Sequence, residues 1–296
     1  MLQVTNGDVV AGRLRAAGFD DVLPWREVLH EGPVPGGLED SDLRETRARF
    51  LASCRWAPYD EARAALEGQD AALAAADEVV LWFERDLFDQ LQLVQILAAL
   101  DETPATLVDL GEPSEQPADL TGLEQRPVER DQRELAAQAW AAFREADPRS
   151  LAQLAAADEA ALPFLPQALR RLLEELPAVR DGLARSQREL LEAVAGGASD
   201  RVAAFDAFQR LEERPFMGDT VFWQRVDGLV QARQPLLDEE GRLSVTETGE
   251  EILAGRADHV RLNGIERWLG GVHLAGPEAE WRWDAEAGVV RGIGAG

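Results

Sequence analysis

The sequence predicts an α/β N-terminal domain with a Rossmann-like parallel sheet, followed by a mainly helical region and a winged-helix-like C-terminal domain. Three observations carry this expectation. Up to about residue 110, short apolar runs alternate with helix-length amphipathic stretches. Helical periods punctuated by proline follow. The chain then shows three helix patterns, a hairpin pattern and a trailing helix. The expected divisions are residues 1–125, 126–180 and 181–296.

Taken in order, Leu2 to Thr5 is a candidate strand that ends in Asn6-Gly7-Asp8. Val9, Val10, Leu14 and Ala17 then recur at helical spacing, with Gly18 as a stop. Asp21 to Trp25 reads as a short strand that Pro24 restricts to a sheet edge. His30 to Gly37 is loop by composition. Alanine-rich helical periods run from Asp42 to Ala76, and residues 78–83 (EVVLWF) form the strongest strand pattern. The stretch from Asp86 is an amphipathic helix with Leu87, Leu91, Val94 and Leu97 near one face, and residues 105–110 are another buried strand. Crossovers of this length imply parallel pairing.

Residues from Pro113 to Pro127 read as a connection, and Pro148, Pro163 and Pro177 separate the helices that follow. Further helices are expected at 186–197, 200–212 and 218–232. A strand, an acidic turn, a strand and a short helix capped by Thr246 or Thr248 come next. The end of the chain reads as a hairpin with Trp281 and Trp283 on one face. Asn263, Arg267, Trp268 and His273 form a polar and aromatic group that fits a second site or burial equally.

Composition removes several functions. All 30 basic residues are arginine, against 55 acidic ones, for a net charge of −25. No Schiff-base lysine, pyridoxal-phosphate anchor or P-loop lysine can exist without lysine. The negative surface argues against nonspecific binding to nucleic acid or anionic membrane, and a GC-rich genome or high-salt habitat explains the bias. Residues 186–296 hold 12 arginines and 20 acidic residues, so the winged-helix pattern is expected to bind protein rather than DNA. The single cysteine, Cys54, allows no intramolecular disulfide and suits a reducing cytoplasm. His30, His259 and His273 lack ligand spacing, so no metal is expected. The absence of a signal-peptide core or a long apolar run leads to the expectation of a cytoplasmic protein without membrane contact.

Ligands of parallel sheets collect at the carboxyl ends of the strands. Polar residues gather there: Asn6 and Asp8, then Trp25, Arg26, His30 and Glu31, then Glu84, Arg85, Asp86, Asp89 and Gln90, with Asp109 after the last strand. His30, Glu84 and Asp86 are the candidates for acid/base chemistry. Asn6, Gly7, Asp8, Trp25, Arg26, Glu31, Arg85, Asp89 and Gln90 are the candidates for ligand binding, with Arg26 and Arg85 as anion holders. Other readings stand beside these. Asn6-Gly7-Asp8 fits a turn with a helix cap, Asp86 and Asp89 fit a capped first turn, and Asp109 fits a loop. TNGDVVAG matches neither the dinucleotide fingerprint nor the P-loop, no GxSxG elbow is present, and the sequence names no cofactor.

The stretches VTNGD, DVLPWREVLHEGPVP and VVLWFERDLFDQLQL together resemble a bacterial family designated domain of unknown function 1835. The resemblance covers roughly residues 1–125. It implies that Asn6, Gly7, Asp8, Trp25, Arg26, His30, Glu31, Gly32, Glu84, Asp86, Asp89 and Gln90 are signature positions. Val9 stands where that family has serine, and Arg85 where it has histidine. The resemblance implies no reaction. Two functions are expected: an intracellular domain that binds a small polar or nucleotide-like ligand and acts on it, or a non-enzymatic regulator or adaptor whose winged helix engages a protein or, less readily, DNA.

Overall fold

The computed structural model describes residues 1–112 and 119–292, so part of the expected connection, 113–118, lies outside the described residues. The chain is an α/β protein that divides into two compact units. The first comprises Met1–Leu169 with Gly270–Val272, and the second comprises Arg170–Leu269 with the residues from His273 onward.

The first unit is built on a five-stranded sheet. Its strands are β1 (Leu2–Asn6), β2 (Val22–Trp25), β4 (Val79–Phe83), β5 (Ala105–Asp109) and β6 (Arg126–Pro127), in the order β2-β1-β4-β5-β6. The first four run parallel, and β6 pairs antiparallel with β5. Pro24 lies on the edge strand β2, as a residue without an N–H requires. β4 is buried along its whole length, which explains its continuous apolar run.

Between the strands lie α1 (Gly7–Ala16), the two-residue β3 (Gly32–Pro33), α2 (Asp40–Ser53), α3 (Tyr59–Ala74) and α4 (Leu87–Ala99). α5 (Arg130–Phe143) and α6 (Arg149–Ala155) follow the sheet. One part of the core joins Val10 and Leu14 of α1 to Val80, Trp82 and Val108 of the sheet. Another joins Ala48 and Leu51 of α2 to Ala62 and Leu66 of α3. α4 departs from the amphipathic expectation. It packs on β4 and α5, and it is buried at Leu87 and from Asp89 through Leu97, including Gln90, Gln92 and Gln95. Its polar residues therefore have to find partners inside the protein.

The division between the units falls within α7 (Leu165–Leu173). The second unit continues with α8 (Arg185–Ala195), α9 (Arg201–Leu211) and α10 (Asp219–Val230). An antiparallel pair, β7 (Leu237–Asp238) and β8 (Ser244–Val245), leads into α11 (Glu247–Leu253), where Thr246 accepts the cap bond from the Gly249 N–H. After α12 (His259–Asn263) come β9 (Ile265–Gly270) and β10 (Val272–Gly276), neighbours in one sheet where the sequence offered a polar and aromatic group. Trp268 and His273 stack there with centroids 4.4 Å apart. The terminal pair, β11 (Trp281–Asp284) and β12 (Val289–Gly292), is antiparallel, and both tryptophans of β11 are buried.

A buried charge network fixes this unit. Arg171 donates to Glu212 and Glu175 at 2.9 Å each, while Arg267 and the Ser186 hydroxyl donate to the other Glu175 oxygen at 2.9 and 2.7 Å. Burial alone would raise the Glu175 carboxyl. Arg171, Arg267 and Arg225 more than reverse that and hold it well below the ordinary carboxylate range. Among the described residues, no helix is long and apolar enough to cross a membrane.

Candidate functional site

The carboxyl ends of β1 and β4 carry a compact acidic group. Glu84 follows β4 directly, Asp86 is the N-cap of α4, and Asp89 lies one turn into that helix. One oxygen from each lies within 4.8 Å of the others, and all three side chains are buried. Local geometry explains how they are held. Asp86 accepts the Asp89 N–H at 3.1 Å, so the capped-turn reading of Asp86 holds. Asp89 accepts the Glu84 N–H at 2.5 Å, and Gln90 donates its side-chain amide to the Glu84 carbonyl at 2.8 Å. These bonds fold the chain tightly from the strand into the helix.

Asn6 completes the group. It occupies the N-cap position of α1, yet its side chain makes no cap bond and instead donates to Asp89. The sequence left Asn6 open between a cap and a site residue, and this contact ties the end of β1 to the first turn of α4, 83 residues on in the chain. Gly7 turns the chain into α1 with φ of +48°, a conformation that favours glycine.

Burial shifts these carboxyls. Asp86 is pushed well above the usual range by desolvation first and by the neighbouring Asp89 and Glu84 next. Desolvation pushes Asp89 up to about 7, against the lowering effect of the bonds from Glu84 N–H and Asn6. A carboxyl poised near neutral pH can both accept and release a proton under ordinary conditions. Three carboxylates also form a hard oxygen donor set of the kind that suits Mg²⁺, Ca²⁺ or Mn²⁺. The expectation of no metal considered histidine spacing, and this donor set is of another kind.

The remaining expected residues occupy different surroundings. Arg26 pairs with Asp8 at 2.6 Å at an exposed position, and its hydrogen bond holds the Asp8 carboxyl below its ordinary value. Arg85 pairs with Asp109 at 2.7 Å, approaches Glu112 at 3.7 Å and covers the Phe164 ring. Both expected anion holders therefore already face carboxylates. Trp25 is buried and donates its indole N–H to Gln95 at 2.8 Å, so it presents no face to a ligand. His30 is buried with its ring edge-on to Phe88 of α4, 5.7 Å between centroids. Glu31 is buried, and its carbonyl accepts from Arg47.

Arg47 is the organising residue that sequence reasoning missed. It and Glu27 are both fully buried. Arg47 donates to one Glu27 oxygen at 2.7 and 3.0 Å, and to the carbonyls of Val28 and Glu31 at 2.8 and 2.7 Å. One guanidinium thus fixes the segment that carries His30 and Glu31. In the sequence it was one charge among many on an arginine-rich helix, and only the position of Glu27 inside PWRE hinted at a buried partner.

No known protein family matches the chain, and neither a curated protein nor a solved structure matches it.

Proposed function

We propose that the first unit binds a small polar ligand at the carboxyl ends of β1 and β4 and exchanges a proton with it through Glu84, Asp86 and Asp89. The observation that carries this reading is the convergence of three buried carboxyls beside Asn6 at the ends of adjacent parallel strands. Elevated carboxyl values at such a place are characteristic of functional sites. The charge of the group selects the ligand. Bare phosphate is repelled, while a hydroxyl-rich or amine-bearing molecule, such as the nucleoside part of a nucleotide, offers donors that carboxylates accept. The parallel order β2-β1-β4-β5 supports a Rossmann-like reading of the sheet. Membership of the family of unknown function 1835 belongs to the same proposal.

Thermal-shift and calorimetric screening of nucleosides, amino sugars and polyamines, with and without Mg²⁺ or Mn²⁺, tests it. A ligand whose binding falls at least tenfold in Glu84→Gln and in Asp86→Asn supports the reading. A screen with no ligand or cation sensitive to either substitution removes it.

A second reading is favoured by one observation in the second unit: α8, α9 and α10 lead into the β7–β8 pair and α11, the element order of a winged helix. In that reading the protein is an adaptor without catalysis. The tip of the pair carries Asp238, Glu239 and Glu240, and Arg201 is engaged by Glu239 and Asp227, which favours a protein partner over DNA. Absence of a mobility shift on DNA at low salt is the expected result.

A further inference from the structure

At the end of β2 the backbone from Trp25 to Glu27 and the buried side chains of Trp25 and Glu27 meet polar side chains from three helices, while the Arg26 side chain is exposed. From α4, Gln92 donates to the carbonyls of Trp25 and Glu27 at 3.3 and 2.7 Å, and Gln95 accepts from the Trp25 indole at 2.8 Å. From α3, Gln69 accepts the Arg26 N–H at 3.1 Å. From α2, Arg44 approaches Glu27 at 4.0 Å. All these side chains are at least nine-tenths buried.

Each glutamine has its orientation dictated by a partner with a single role. The indole and the backbone N–H only donate, so Gln95 and Gln69 turn their oxygens toward them. The two carbonyls only accept, so Gln92 turns its nitrogen toward them. No amide flip relieves what is left over. The Nε2 of Gln69, the Nε2 of Gln95 and the Oε1 of Gln92 have no hydrogen-bond partner in the protein, and neither do the Oε2 of Glu27 and the Nη1 of Arg44, which face each other 4.0 Å apart. Buried polar atoms are almost always satisfied, so five around one short segment demand an explanation.

We infer that this enclosure is an internal binding site for a small neutral molecule that both donates and accepts hydrogen bonds. The unmatched set decides the class. A metal cation is opposed by three N–H donors, and an anion by a carboxylate oxygen and an amide oxygen. The Glu27 charge is balanced by Arg47 and the Arg44 charge by Asp70, so no net charge remains to be neutralised. Water is one source of this chemistry, in the manner of ordered interior water. A small amide or polyol from the cell is the other. The site is separate from the Glu84–Asp86–Asp89 group and does not depend on its proposed function.

The test uses the full chain. A high-resolution crystal structure is expected to show density within hydrogen-bond distance of at least two of the five atoms. Water-protein cross-relaxation by NMR is expected at the Gln69 and Gln95 amide protons. Single-atom density with these cross-peaks identifies water. Larger density, with a matching mass released from the native complex, identifies a solute. Either result supports the inference. A dry enclosure without cross-peaks, or density that refines as a metal or chloride ion, overturns it.

Discussion

Replacing Arg47 by methionine removes the guanidinium and keeps most of the side-chain volume. The structure sets the magnitude. Glu27 is fully buried, and the oxygen facing Arg47 receives two bonds from it and one from the Val28 N–H, so the substitution leaves a desolvated carboxylate without its main partner. Breaking a buried pair in this way costs about 3–5 kcal/mol. The carbonyls of Val28 and Glu31 lose donors as well, at about 1–3 kcal/mol each where water cannot replace them. Arg44, 4.0 Å from the other Glu27 oxygen and itself paired with Asp70, offsets little of this, so the expected total is at least about 5 kcal/mol. Urea unfolding at pH 7 measures the cost, and hydrogen exchange over residues 27–34 localises it. The paired substitution Arg47→Met with Glu27→Met removes the stranded charge, and it is expected to recover about half of the loss. A single variant costing under about 1 kcal/mol, or a pair no more stable than the single variant, refutes the account.

Asp89→Asn bears on pH dependence. The folded value of Asp89, about 7, lies above its ordinary 3.8, so the folded state binds more protons in between and this carboxyl costs stability as pH rises through that window. The asparagine variant is expected to gain relative to the parent from about pH 4 to about pH 7 and to level off above, and a flat difference in unfolding midpoint contradicts this. Glu175→Gln acts with the opposite sign. The depressed Glu175 contributes stability that is present above its unfolded value and lost as pH falls through the folded one, so the variant is expected to lose about 3–5 kcal/mol at pH 7 and less in acid. Gly32→Ala is expected to destabilise by at least about 1–3 kcal/mol, because φ is +80° and the added carbon falls on the Phe50 ring. Gly18→Ala, also at positive φ but in open space, is expected to cost less in the same unfolding assay.

Much of the first sheet was legible because its strands are defined by local patterns. The continuous apolar run at residues 79–83 and the position of Pro24 each had one consistent reading. The β9–β10 pair was not legible. Its residues alternate only partly, and Gly270-Gly271 looks like a loop when nothing indicates what packs on it. In fact a side chain at Gly271 would collide with the backbone at Arg144, a restriction that only the fold reveals. At the candidate site, Glu84, Asp86, Asp89 and Asn6 could be found by placing polar residues at strand ends. Arg47, Gln92 and Gln95 could not. Apart from the Glu27 carboxylate and the Trp25 indole, their partners are backbone carbonyls of residues 25–31, and backbone acceptors leave no mark in the sequence of the donor helix.

The bond from Asn6 to Asp89 has a kinetic consequence. β1 lies between β2 and β4 in the sheet, although most of the first 80 residues separate it from β4 in the chain. Glu84, Asp86 and Asp89 can approach one another through local turn formation. Asn6 reaches them only after the intervening crossover has closed and β1 has docked against β4. Closing a loop of that length carries an entropic cost before any contact repays it, so such pairings form late. The acidic group therefore acquires its native surroundings only as the sheet is completed, and the titration of Asp89 reports whether the first unit has finished folding.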